Sequence, residues 1–229
     1  MQQELTRESV RIAGPRGALA GELSYGDGEV EAACLLVNPH PHMGGQMGNN
    51  LIAHLAGQLP QRGVATLRFD YAGVGESEGG EVDVYASMAQ FWETGVTPAD
   101  PLMIEDARAA AGWLRGQVAA DMFLAGYSFG AYAAASIVDE DAAGIVLVSP
   151  TLSRHDFSPL THCRVPKLIV YSNDDFATPA VVTQQWVSSL QDVAGAHCLT
   201  GGNHFFRGQE EAVARICGRF IAGRSGGSR

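Results

Sequence analysis

The sequence predicts an α/β fold in which a mainly parallel sheet carries helices on both faces. Three observations lead there. Short, continuous apolar runs recur along the chain, as strands buried on both sides require. Amphipathic stretches fall between them, giving repeated strand–helix units that imply parallel crossovers. Finally, Gly126-Tyr127-Ser128-Phe129-Gly130 stands where one apolar run hands over to a stretch of small helix formers.

In chain order, residues 9–13 and 18–25 read as an antiparallel opening pair around Gly14-Pro15-Arg16-Gly17. The apolar run 32–37 is the first strand of the parallel set, and 50–62 the first helix. The run 64–69 is the next strand, and the glycines of residues 70–80 after it serve tight backbone geometry. A helix is expected over 101–118 and a strand over 121–127. Ala131 to Ile137 place a helix over 128–139. Strands at 144–149 and 167–171 follow, with Pro179 opening a helix over 179–193. A last strand at 194–199 and a helix over 209–222 complete the pattern. There is no internal repeat.

With 229 residues the chain suits one domain with a sizeable core, expected over residues 1–222, with a polar Gly/Ser-rich tail at 223–229. Residues 81–102 form an excursion within it. The net charge of −10 leaves no basic stripe to neutralise phosphates, so nucleic acid is an unsuitable partner. No apolar run has the length of a membrane span, and Met1-Gln2-Gln3-Glu4 does not read as a signal peptide. Four cysteines without CxxC spacing fit a reducing, cytoplasmic setting. Cys34 and Cys198 fall in strand-like runs and are expected in the core.

Ser128 is the candidate nucleophile. A serine in a strand-to-helix turn is strained so that its hydroxyl is exposed at the top of the sheet, with the helix N-terminus beside it to favour developing negative charge. The bare pentapeptide is weak evidence, because a chain with 28 glycines gives about 0.2 accidental matches. Partners downstream strengthen it. Asp174 and Asp175 follow the strand 167–171, at the carboxyl edge where open α/β sheets carry catalytic groups. Both also suit an ordinary solvated turn. His204 lies in a loop after strand 194–199, between glycines and two phenylalanines, and is the candidate base. His54 on a helix, His155 and His162 in a polar loop, and His197 in a strand are weaker candidates.

Taken together, five blocks resemble the α/β-hydrolase superfamily, and within it the small, nearly lidless bacterial serine hydrolases related to dienelactone hydrolases and S9/S15-type peptidases. The blocks are Asn38 to Met47 (NPHPHMGGQM), Arg68 to Ser77 (RFDYAGVGES), the Ser128 pentapeptide, Asp175, and Gly202-Asn203-His204-Phe205-Phe206. They run from about residue 33 to 207 in the family's order, and Ser…Asp…His is that family's triad order. The resemblance selects Asp175 over Asp174, because the family's acid lies four residues before the proline. It also implies an oxyanion hole built from the N–H of Phe129 and of His40, with His42 as the alternative donor. Where many relatives insert a lid, residues 150–166 leave room for only a loop.

The implied chemistry is cleavage of a carboxylic ester or thioester through an acyl-enzyme, with a small-molecule acyl substrate and no cofactor. Acyl transfer or elimination would use the same site, and a non-catalytic binding protein on this fold is a further alternative. Elbow serine in place of aspartate argues against dehalogenase or epoxide-hydrolase chemistry, and in place of cysteine departs from dienelactone hydrolase itself. His40-Pro41-His42 could be read as a metal-binding pair, but no second ligand set with strand-end spacing accompanies it. Tyr85, Phe91 and Trp92 in the excursion, with His42 and Phe205, are the expected substrate-pocket residues. The other use of that excursion is packing on the core or a partner surface, as in a homodimer.

Overall fold

The computed structural model describes residues 4–80 and 83–225. Of the expected tail, residues 226–229 lie outside the described residues, as do residues 81 and 82 of the excursion. The strands are β1 (Leu5–Gly14), β2 (Gly17–Gly26), β3 (Ala32–Val37), β4 (Val64–Phe69), β5 (Asp121–Tyr127), β6 (Gly144–Val148), β7 (Lys167–Asp174) and β8 (Val193–Asn203). The helices are α1 (Asn50–Gln58), α2 (Val84–Thr94), α3 (Asp100–Gln117), α4 (Phe129–Ile137), α5 (Ala180–Val187) and α6 (Glu210–Ala222).

All eight strands join one sheet in the order β1-β2-β4-β3-β5-β6-β7-β8. β2 runs antiparallel to both β1 and β4, and every pairing from β4 to β8 is parallel. The sheet is covered on both faces, which is why its central strands β3, β5 and β6 are almost wholly apolar. Leu35 and Leu124 face the core under α3 and α4, while Cys34, Leu36, Phe123 and Ala125 face the core under α1 and α6. This is the open α/β-hydrolase architecture.

Differences from the expected elements have local causes. The first helix stops at Gln58 because Pro60 cannot donate the next helical bond, and a 3₁₀ turn at Pro60–Arg62 follows. α5 stops at Val187, after which the hydroxyls of Ser188 and Ser189 bond back to the carbonyls of Gln185 and Trp186. Cys198 is exposed rather than in the core. It lies on β8, the edge strand, none of whose positions is fully buried. α2 adds a helix inside the excursion. Among the described residues, no helix is long and apolar enough to cross a membrane.

The strands at this edge, β7 and β8, run further than expected, and that extension places the site. β7 and β8 remain paired beyond their apolar stretches, with Ser172 opposite Leu199 and, past an irregularity, Asp174 opposite Asn203. Asp175 and His204 are therefore the next residues on two neighbouring strands. Ser128 follows β5, one strand beyond β6, at the same carboxyl edge.

Candidate active site

Ser128 has φ 57° and ψ −119°, a conformation that costs a non-glycine residue of order 1–3 kcal/mol and persists only where the surroundings impose it. Here they do. Its N–H is held by the carbonyl of Val148, 2.9 Å away on β6, and α4 begins at the next residue. The flanking glycines are needed for close backbone approach. A Cβ on Gly126 would lie 2.0 Å from the carbonyl oxygen of Gly130, and one on Gly130 would lie 2.1 Å from that of Val37. Gly130→Ala is accordingly expected to destabilise the protein by about 3 kcal/mol, the upper end for overpacking, as read from urea denaturation. An unchanged midpoint would show that the elbow tolerates a methyl group there.

His204 joins the serine to an acid. Its Nε2 lies 2.9 Å from Ser128 Oγ, and its Nδ1 lies 2.8 and 3.0 Å from the two carboxylate oxygens of Asp175. All three side chains are buried. Asp175 Oδ1 also accepts from the N–H groups of Ala177, at 2.8 Å, and Thr178, at 3.3 Å. Burial pushes this carboxyl up, but the bond to His204 and the other donors outweigh it and hold it below its ordinary value. Asp174, by contrast, is exposed at the end of β7, and the His204 Nδ1 partners are the oxygens of Asp175. The backbone of His204 is fixed by Tyr127, whose hydroxyl donates to its carbonyl at 2.7 Å. Tyr127 went unnoticed in the sequence because it reads there as an apolar strand residue inside the motif.

The loop after β3 folds over the elbow. The His40 carbonyl accepts from the N–H of Met43 at 2.7 Å and of Gly45 at 3.1 Å. Gly45 is required there, because a Cβ would lie 1.8 Å from the Pro39 carbonyl oxygen. The two candidate donors of this loop are distinguished by their partners. The N–H of His42 donates to His40 Nδ1 at 3.2 Å, whereas that of His40 has no partner among the described residues. The same is true of the N–H of Phe129, whose ring meets the His40 ring edge-on at 5.2 Å. His40 Nε2 faces Asp100 Oδ1 at 3.2 Å, so both ring nitrogens of His40 are already engaged. Among the described residues no group of three or more His, Cys, Asp or Glu side chains could hold a metal ion.

The expected pocket residues divide by helix face. On α2, Val84, Ser87, Met88 and Phe91 recur at helical spacing and turn inward. Phe91 is buried, stacked on His40 at 4.6 Å and 4.9 Å from His42. His42 is buried, with Nε2 2.7 Å from Ser87 Oγ, and burial lowers its basicity. Tyr85 and Trp92, seven residues apart, share a different, solvent-facing side of the helix and are 92 % and 59 % exposed. Aromatic character does not report helix face, and at this exposure neither ring packs into the protein as Phe91 does. Phe205 lies edge-on to His204 at 5.8 Å. Phe176, absent from the expected set, lies 4.9 Å from the His204 ring and 57 % exposed. Its only sequence signal is that it follows Asp175. His155 is no solvated loop residue either: its side chain is buried against Tyr132 and beside Asp100.

The comparisons with known proteins agree with this architecture. The family model described as serine aminopeptidase, S33 matches residues 42–168, more than half of the chain. That span includes the elbow serine and ends before Asp175 and His204. The uncharacterized protein RP471 of Rickettsia prowazekii is 26% identical over 220 residues, covering 91% of this chain and 86% of that protein. A protein of unknown function from Agrobacterium tumefaciens superposes with a TM-score of 0.80 at 26% identity, covering 96% of this chain and 98% of that one. An α/β serine hydrolase homologue from Coxiella burnetii gives 0.79 at 28%, covering 93% and 97%. The sheet order, the elbow and the family match lead to one assignment: the chain is a hydrolase of the α/β-hydrolase superfamily and belongs to its serine aminopeptidase S33 family.

Proposed function

We propose that the protein is a serine hydrolase that cleaves a carboxylic ester or thioester through an acyl-enzyme. The observation that carries this reading is the unbroken chain from Ser128 Oγ through His204 to Asp175, at 2.9 and 2.8 Å, at a strained elbow. In the proposed cycle Ser128 Oγ attacks the acyl carbonyl as His204 Nε2 takes its proton. Asp175 holds the Nδ1–H tautomer and offsets the imidazolium charge. The free N–H groups of Phe129 and His40 receive the oxyanion, each donor contributing roughly 2.7–4 kcal/mol to lowering the barrier. His204 then returns its proton to the departing alcohol or thiol, and water releases the acid in a second round.

Ester and thioester substrates are preferred over amides because of what surrounds the base. Phe176, exposed, and Phe205, half-buried, flank His204 with apolar rings, on the residue that must protonate the leaving group. Such a rim suits a neutral or apolar leaving group.

A panel of p-nitrophenyl esters, acyl-CoA thioesters and aminoacyl p-nitroanilides tests this directly. Turnover of esters or thioesters, with an initial burst where deacylation is slow, is the expected result. Turnover confined to the anilides would make the protein a peptidase, and no turnover of any class would leave a binding protein. Prolonged chelation should leave the rate unchanged, because every proposed step uses protein groups and water. Loss with EDTA and recovery with a divalent cation would turn His40 and His42 from a backbone loop into ligands.

A further inference from the structure

Behind the oxyanion loop lies a buried polar cluster that the proposed chemistry does not use. Asp100, in the first turn of α3, is 6% exposed and sits among three segments of chain. From the loop after β3, His40 Nε2 approaches its Oδ1 at 3.2 Å. From the α2–α3 connection, the Thr97 hydroxyl and N–H donate to the same oxygen at 2.6 and 3.0 Å. From the loop after β6, His155 Nε2 faces Oδ2 at 3.5 Å, while His155 Nδ1 lies 2.8 Å from the Thr151 hydroxyl. Burial pushes the Asp100 carboxyl up, yet donation from His155, His40 and Thr97 outweighs burial and keeps it an anion.

The partners fix the His40 tautomer. Nδ1 accepts from the N–H of His42 and so carries no proton, which leaves the proton on Nε2, where it points at Asp100 and the Thr97 hydroxyl. One face of the ring is stacked on Phe91 at 4.6 Å. An imidazole held at both nitrogens and stacked on an aromatic ring cannot turn without breaking these bonds. Its backbone is held with it, since the His42 N–H that it accepts belongs to the same 3₁₀ turn.

We infer that Asp100 is a positioning residue for the oxyanion hole, anchoring the His40 ring so that the main-chain N–H of His40 stays free for the substrate oxygen. This rests on the serine-hydrolase reading above. Asp100 touches no substrate; it acts through His40, and the excursion that carries α2 serves to bring it there.

Asp100→Asn tests the proposal with little change in shape. The amide oxygen then accepts from His40 and Thr97 without the carboxylate's charge, and the NH2 replaces the acceptor that faces His155 Nε2, so the anchor on His40 is weakened. Because the oxyanion exists only in the transition state, kcat and kcat/KM should fall together by roughly 10- to 100-fold with KM unchanged, less than deleting a donor outright. A boronic-acid analogue should weaken by the same factor, and kcat is to be counted per folded molecule by near-UV circular dichroism. Unchanged kcat in a folded Asp100→Asn variant would overturn the proposal, as would a rise in KM alone. Should Asp100→Asn fail to fold, Thr97→Val decides: loss of the hydroxyl should lower kcat several-fold, and wild-type kcat would overturn the inference. If Ser128→Ala turns over as fast as wild type, the serine-hydrolase reading itself fails, a result distinct from any of these.

Discussion

Ser128→Ala should remove labelling by a fluorophosphonate and lower turnover by on the order of 10⁵–10⁶-fold, with the melting temperature unchanged or raised. The labelling result follows from geometry alone. Only a hydroxyl whose proton has somewhere to go reacts with such a probe, and Ser128 Oγ has His204 Nε2 at 2.9 Å. The size of the rate effect follows because nucleophile and base act as a unit, so losing either leaves only what binding and the oxyanion donors supply, about 10³–10⁴ over water. His204→Ala should therefore match Ser128→Ala, and the double variant should be no worse. The stability expectation comes from the backbone. The variant keeps the φ of 57° and loses only a hydroxyl oxygen, so it creates no sizeable cavity. Intact-mass spectrometry of folded wild-type protein showing no adduct would move the function to binding, and an adduct on another serine would move the site.

How much of this was legible in the sequence depended on how local each cause is. β3, β4 and β5 were readable to the residue, because a strand covered on both faces is mostly apolar, and Thr66, Arg68 and Asp121 are the few polar interruptions of these three. Where strands end in polar residues the boundary was lost. β7 reaches Asp174 and β8 reaches Asn203 through backbone pairing that no side chain announces. Ser128 and His204 were nameable because each follows a strand in an order few folds share, whereas Asp175 was separated from Asp174 only by the family resemblance, and the structure brings the three together. The surroundings were a different matter. Phe91 could be separated from Tyr85 and Trp92 only by helix face, and the pattern over 84, 87, 88 and 91 held that information although aromatic character concealed it. The cluster of His40, Thr97, Asp100 and His155 had no signal at all, since it joins residues up to 115 positions apart through tertiary packing.

Two adjacent carboxylates make the sharpest remaining test. Asp175→Asn should lower kcat by about 10⁴-fold with the fold intact, while Asp174→Asn should change kcat less than twofold. Asp175 accepts the His204 Nδ1 proton at 2.8 Å and two backbone N–H groups besides, so an amide there either offers a donor to a donor or turns the imidazole into the tautomer with Nε2 protonated. In that tautomer Nε2 cannot take the Ser128 proton, and the base is lost although every atom remains near its place. Asp174 lies one residue earlier, on the opposite side of the strand, exposed to water. Its charge is screened, and an exposed carboxylate at that range contributes little. Steady-state kinetics on both variants, with the melting temperature of each, separates the outcomes. The reverse ranking would mean that β7 slips by one residue in solution, which would also swap the sheet faces on which Val170 and Tyr171, both buried, are packed. Equal, small effects would mean that His204 works without an acid, and the proposed mechanism would lose its third member.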